Sequence, residues 1–383
     1  MLALGYLLLT RTGILGGFGF TGYLDLDVYR IGARAWWAGA DLYATLPATS
    51  GGLRLPFTYP PVAAVLFAPL TLMPLPVAGA LLGLLGLAAT AAVLPMVAGR
   101  TPKRVPSRVL IAAVLPLAVA VEPVRATLDY GQINLVLMAL VLLDCLNPAP
   151  RWPRGALVGL AAAVKLTPAA FLLFLLLNRD SRAICRAVVA FLAGTAAGFL
   201  FAGPDSVRYW TSALWDTGRI GTVHYAGNQS LLAALARFGL TPPARTVLWL
   251  LGIVLTLAVT AIGMRRAIAE GRPEYAVVLN ALAILVVSPV SWTHHWVWLV
   301  PGLFVFAGIW RYAGLAVFAL APQWWWTDST ANREYDWTVG QQLLGNAYLY
   351  FALLALAASA VRPVSFGRRP DSRPRPPARS TPP

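Results

Sequence analysis

Charge is scarce in this 383-residue chain: 12% of its residues are charged, 58% are hydrophobic, and the mean hydropathy is +0.67. A soluble domain cannot cover that much apolar surface, so a soluble globular class is excluded. Lysine is almost missing, with Lys103 and Lys165 the two among 30 basic residues. Cysteine is limited to Cys145 and Cys185, both in or beside apolar segments, which excludes a disulfide framework and any CxxC pair. There is no Walker loop, no GxGxxG opening a helix and no HExxH, so soluble nucleotide or zinc chemistry has no support. Inverted internal repeats of the transporter kind are not evident, and no polar face runs through the apolar segments as an ion path.

What the chain does have is apolar runs from end to end. A bilayer core about 30 Å thick takes roughly 20 apolar helical residues per crossing, so the fold class expected is an all-α polytopic membrane protein with about 10–12 transmembrane or half-membrane helices. The net charge of +15 is no nucleic-acid signature, because the basic residues lie in short clusters between apolar runs. If Met1–Phe20 is a retained first span leaving the cytoplasm, the clusters Arg100–Arg108, Arg151–Arg154, Arg179–Arg186, Arg265–Arg272, Arg311 and the tail all fall inside, as the positive-inside rule requires. Arg11 within that first segment either snorkels to an interface or marks a start further upstream.

Taken in order, Gly22–Tyr43 reads as a polar outer loop, and Val62–Ala98 as a Pro-broken approach followed by a full span. Val109–Val121 returns outward to Glu122, Arg125 and a DYGQ turn, and Ile133–Leu146 goes back in. Gly155–Leu177 has basic clusters at both ends and the break Lys165-Leu166-Thr167-Pro168 in its middle, which reads as a re-entrant hairpin. A rival arrangement makes this segment and Val62–Met73 complete spans, at the cost of moving basic clusters outside. Ala187–Ala202 then leads out to a loop over Gly203–Thr241, and Arg245–Met264 leads in. Tyr275–Val287 leads out to SPVSWTHHW, and Val297–Trp310, Tyr312–Pro322 and Gln341–Val361 complete the domain. Residues 1–361 form this membrane domain, and 362–383 form a basic, Pro-rich cytoplasmic tail that is expected to be disordered.

The groups able to carry chemistry gather on the outer face. Asp25 and Asp27 follow the first span directly, although loop carboxylates are more often solvated or helix-capping. Lys165 lies inside an apolar run, where a charge is expensive and tends to be functional; snorkelling is the bland alternative. His294 and His295 sit among tryptophans that read equally well as an aromatic belt, and Trp324–Trp326 reads as belt first and sugar or lipid contact second. Tyr59 lies in TYPP, which has a turn reading, as does Gly227–Ser230 with Asn228 and Gln229. Asn228-Gln229-Ser230 also has the form of an N-glycosylation sequon.

Six segments in order carry a resemblance: DLDVYR (Asp25–Arg30) with GADLY, FTYPPVAAVLFAPL (Phe57–Leu70), YGQINLVL (Tyr130–Leu137), AVKLTP (Ala163–Pro168), GNQSL (Gly227–Leu231) and SPVSWTHHW (Ser288–Trp296). Together they resemble the GT-C-type membrane glycosyltransferases that use polyprenyl-phosphate sugars, specifically glycosyltransferase family 87 of actinobacteria. The resemblance implies an α-mannosyltransferase of the plasma membrane, active on its extracytoplasmic side, with polyprenyl-phosphate-mannose as donor. The acceptor classes implied are phosphatidylinositol mannoside, lipomannan and lipoarabinomannan, with α-1,2 linkage the family tendency. The family's catalytic aspartate corresponds to Asp25 in a first extracytoplasmic loop.

Inversion at a β-linked donor needs a base for the acceptor hydroxyl, the role expected of Asp25, while the departing phosphate needs charge stabilisation. Asp27, Arg30, Tyr59, Gln132, Lys165, Asn228, Gln229, His294 and His295 are the substrate-binding candidates. No cofactor or metal is expected. Transfer of arabinofuranose from its polyprenyl phosphate, or a lipid or glycan transporter, are the alternatives.

Overall fold

The computed structural model describes residues 22–98, 118–326 and 333–361, together with Val109 and Pro116. The expected first span Met1–Phe20, most of Val109–Val121, the Arg100–Arg108 cluster and the 362–383 tail lie outside the described residues. Among the described residues the chain is helical, and Asn228 and Trp292 form an isolated β-bridge.

Among the described residues three helices have the length and apolarity to cross a membrane: α3 (Leu75–Ala98), α8 (Ser181–Phe201) and α11 (Pro242–Ala269). Two bent pairs bring that number to five if each is one span: α4 (Glu122–Tyr130) with α5 (Asn134–Leu146), bent by 118°, and α15 (Val339–Gly345) with α16 (Ala347–Val361), bent by 67°. Shorter apolar pieces fill the bundle: α2 (Pro61–Phe67) with its 3-10 extension to Leu72, α7 (Leu172–Leu177) with the 3-10 turn Thr167–Phe171 before it, and α12 (Pro273–Val287). The protein is a helical membrane protein. The break between α2 and α3 falls at Met73, in extended conformation before Pro74, where the sequence placed the Pro-broken approach.

The polar stretch after Gly22 is a helix and not a loop. α1 (Leu24–Trp37) buries Leu26, Tyr29 and Ala33 at helical spacing, and its first turn holds Asp25 and Asp27 where the helix dipole favours negative charge. Tyr23, just before it, takes a left-handed conformation (φ 56°), and its ring lies over Gly79 of α3, where a Cβ has no room. Glu122 and Arg125, expected in an outer loop before the DYGQ turn, are buried in α4, which runs to Tyr130 and ends at a left-handed Gly131.

The segment after α5 folds back on itself. α6 (Ala156–Val164) ends at Lys165, whose backbone is extended, and the chain resumes as the 3-10 turn and α7. Its course follows from α6 and α8, which pack so closely that added Cβ atoms at Gly155 and Gly159 would strike the carbonyl oxygens of Ala183 and Ala187, and one at Gly194 the methyl of Ala163. Small residues allow this approach. The paired numbers rise together, so α6 and α8 run parallel and residues 165–177 must return to the starting level. The segment is therefore a helical hairpin with Lys165 at its tip. From the level of Ala183 to that of Gly194 the rise is about 16 Å, roughly half of an apolar core.

Two apolar cores meet at that tip. One unites α1, α2, the start of α3 and Tyr209; the larger unites α5, the hairpin, α12, α13 (Leu299–Val305), α14 (Ile309–Leu320) and α16. Asp25, Gln132, Lys165 and His295 lie along the seam.

Candidate active site

Asp25 and Tyr29 are four residues apart and share one face of α1. Gln132, in the bend between α4 and α5, donates from Nε2 to Asp25 Oδ2 at 2.6 Å. Its other end fixes the amide: the Tyr29 hydroxyl donates to Gln132 Oε1 at 2.6 Å, and the Tyr59 hydroxyl lies 2.6 Å from that of Tyr29 and 3.1 Å from the same oxygen. Burial raises both phenols above their ordinary value, so they remain protonated. Burial also pushes the Asp25 carboxyl up from 3.8 to about 6, against the opposing pull of the Gln132 hydrogen bond and the Lys165 charge. A carboxylate tuned to that value is ionised at neutral pH and basic enough to take a proton.

Lys165 faces the same space from the hairpin tip. Its Nζ donates to Asn134 Oδ1 at 2.9 Å, lies 3.4 Å from His295 Nε2, and sits 5.2 Å from the centre of the Tyr59 ring. With the ammonium donating, His295 Nε2 accepts and its proton sits on Nδ1. Burial, and next the Lys165 charge, hold His294 and His295 well below their usual value, so both rings are neutral. The turn carrying them, Thr293–Trp298, is anchored through the His294 carbonyl, which accepts from Thr127 Oγ1 and Asn134 Nδ2, each at 2.9 Å. Beneath Lys165, Asn134 and His295 lies a cavity of about 50 Å³ floored by Met138, Phe171, Leu285 and Trp298, room for a water or two. The result is one carboxylate and one ammonium held at opposite sides of a half-buried seam.

The model of glycosyltransferase family 87 matches residues 57–289, well over half of the chain. The chain belongs to glycosyltransferase family 87. This family is of GT-C type, and the helical architecture agrees with it. The polyprenol-phosphate-mannose-dependent alpha-(1-2)-phosphatidylinositol mannoside mannosyltransferase of Mycobacterium tuberculosis (strain H37Rv) is 42% identical over 367 residues, covering 90% of this chain and 86% of that protein. The protein of the same description from Mycolicibacterium smegmatis is 40% identical over 370 residues, covering 87% and 82%. A pentamannoside mannosyltransferase of Mycolicibacterium smegmatis, likewise named as polyprenol-phosphate-mannose-dependent and alpha-(1-2), is 37% identical over 281 residues, covering 73% and 68%. No solved structure matches.

In this family 87 enzyme the remaining candidates sit further from the seam's centre. Asp27 turns to the other side of α1, where its Oδ2 accepts from the Ser50 backbone at 2.7 Å, and Arg30 donates to the Met73 carbonyl at 2.7 Å, tying α1 to the break before α3. Asn228 is fully buried: its amide donates to the carbonyls of Val223 and Pro289, and its Oδ1 accepts from the Ser291 backbone at 2.9 Å. Gln229, also fully buried, donates to the carbonyls of Ala226 and Gly345. Their polar groups hold the histidine-bearing turn against α15, and in the folded protein a sugar cannot reach the Asn228 amide.

Sequence reasoning missed Tyr29 and Asn134, though each lies inside a quoted motif. For Tyr29 the signal was its spacing of four from Asp25. Glu122 was noted only as an outer-loop group. It is buried in α4, where it accepts from Tyr348 at 2.9 Å and from the Trp324 indole at 3.2 Å.

Proposed function

We propose that the chain transfers mannose from polyprenol-phosphate-mannose to a phosphatidylinositol mannoside, forming an α-1,2 bond with inversion on the extracytoplasmic side of the plasma membrane. The observation that carries this reading is the pairing of Asp25, ionisable near neutrality, with the Lys165 ammonium across one half-buried seam. The names of the relatives, at 42% and 40% identity over most of the chain, support the donor and acceptor.

In this mechanism the acceptor hydroxyl attacks C1 of the donor mannose and its proton passes to Asp25. The C1–O bond to phosphate breaks, and the bonding pair leaves with polyprenyl phosphate. Lys165, with one N–H beyond those directed at Asn134 and His295, stabilises the charge that develops on the departing phosphate. Gln132 holds the Asp25 carboxylate, and Tyr29 and Tyr59 hold Gln132. A phosphate leaving group needs no second carboxylic acid, unlike a glycoside.

The test is a mass-spectrometric transfer assay with purified protein, offering polyprenyl-phosphate-mannose and polyprenyl-phosphate-arabinose separately against phosphatidylinositol mannosides. A hexose increment on the mannoside is the expected result. A pentose increment would replace the sugar, and no product from either donor would overturn the reading.

A further inference from the structure

Four half-buried aromatic rings lie next to the histidine turn and take no part in the transfer just described. Tyr225 stands 5.8 Å from Trp292 and 5.9 Å from Trp324, centre to centre, and Tyr130 stands 5.3 Å from His294. The hydroxyls of Tyr130 and Tyr225 are within electrostatic reach of each other, and Tyr130 is within reach of Asp25 as well. The neighbouring Gly131 touches Leu26 of α1, one residue from Asp25, so closely that a Cβ there would strike it. The rings therefore form a wall that starts at the base and leads outward.

These rings are not arranged as an interfacial belt. Belt tryptophans direct the indole N–H toward headgroups and water. The Trp324 N–H instead donates inward to buried Glu122, Trp292 is bracketed by backbone bonds from Gln229 to Ser291 and from Thr293 to Gly227, and the Tyr225 carbonyl accepts from the Asn228 backbone. The wall also borders a buried polar atom, since His294 is 6% exposed and its Nε2 has no hydrogen-bond partner. Rigid, half-exposed rings beside one unpartnered polar group suit a ligand with an apolar C–H face and hydroxyl edges, which describes a pyranoside.

We propose that Tyr130, Tyr225, Trp292 and Trp324 form the platform for the acceptor's terminal mannose, with His294 Nε2 as the polar group that orients it toward Asp25. The inference rests on the transferase reading and adds to it the side from which the acceptor enters. It separates the acceptor from the Lys165 side, where the donor phosphate is expected.

The experiment is steady-state kinetics of Trp292→Ala, Tyr225→Ala and Trp292→Phe, varying donor and acceptor separately. Loss of one ring should raise the acceptor KM about 3- to 10-fold and leave the donor KM within twofold, with Trp292→Phe near wild type. An unchanged acceptor KM in both alanine variants, or an equal rise for donor and acceptor, would overturn the platform. A second measurement uses the unaltered protein: a mannoside carrying a photoreactive diazirine should label peptides containing Tyr225 or Trp292, and labelling confined to other segments would overturn the proposal even if the alanine variants misfold. If the wild-type protein transferred no mannose but the probe still labelled this wall, the transferase reading alone would fall.

Discussion

Gln132 and Asp25 lie 107 positions apart in the chain, and a 2.6 Å hydrogen bond joins them. One amide donates to the carboxylate while accepting from Tyr29, so the position and the proton affinity of Asp25 are set by the same contact. The carboxylate can be tested without disturbing the helix that carries it.

Asp25→Asn should keep the shape and lose the base. General-base removal costs about 10²- to 10⁴-fold. We expect kcat to fall in that range with donor KM unchanged. In the wild-type enzyme kcat/KM should rise with pH through a pKa of about 6. A carboxyl raised from 3.8 to about 6 contributes stability that is full below 3.8 and is lost as pH rises through 6. Thermal melting should therefore show Asp25→Asn at least as stable as wild type at pH 7.5. A clearly lower melting temperature there would mean that the ionised carboxylate is a structural anchor.

Gln132→Leu tests the tuning. Its N–H lowers the Asp25 pKa, so removing it should move the acidic limb of the pH–rate profile above 6 and reduce turnover at pH 7. Tyr29→Phe removes the donor behind Gln132 and should shift the same limb in the same direction by less. A profile that stays in place in both variants would detach Gln132 from the base.

Much of this was legible in the sequence where a cost was visible. Lys165 stood out because a lone ammonium in an apolar run is expensive, and the breaks at Met73 and Lys165 stood out because proline follows closely. What was hidden was anything set by long-range pairing. Asp25 and Asp27 look alike two residues apart, and only their helical faces separate them: one meets Gln132, the other the Ser50 backbone. Asn228 and Gln229 read as turn or ligand residues because their backbone partners at Pro289, Ser291 and Gly345 are far along the chain. α1 passed for a loop because its alternating charges masked the Leu26, Tyr29, Ala33 spacing.

Glu122 illustrates the same limit and carries its own prediction. It joins α4 to Tyr348 of α16, 226 positions away, and to Trp324. Glu122→Ala would leave the buried Tyr348 hydroxyl and the half-buried Trp324 indole without that acceptor, a cost of about 2 kcal/mol. The midpoint of an SDS titration in mixed micelles should fall accordingly, and Glu122→Gln should recover part of it. A wild-type midpoint in Glu122→Ala would show that water satisfies those donors.

Lys165 acts on the leaving group in our reading, so its replacement should separate charge from shape. Lys165→Gln should cost about 10²- to 10³-fold in kcat, the range for loss of one preorganised donor to a developing anion. Lys165→Arg should recover little, because a planar fork cannot reproduce the contacts to Asn134 and His295. Activity should persist in excess EDTA. Loss of activity in EDTA, restored by a divalent cation, would assign the phosphate charge to a metal.

The hairpin itself can be tested from its ends. In a background with Cys145 and Cys185 replaced by alanine, single cysteines at Arg154 and Arg179 would mark the start and the finish of the segment. A re-entrant course, in keeping with the parallel packing of α6 and α8, puts both ends on one side, so a membrane-impermeant maleimide should label both in inverted vesicles and neither in right-side-out ones. Labelling from opposite sides would make the segment a span and place Lys165 within a crossing helix. Gly159→Leu should then show what the close α6–α8 packing does for activity. It forces a side chain into the Ala187 carbonyl, which in a hairpin pushes α6 off α8 and displaces the tip, lowering turnover without touching any group that contacts substrate.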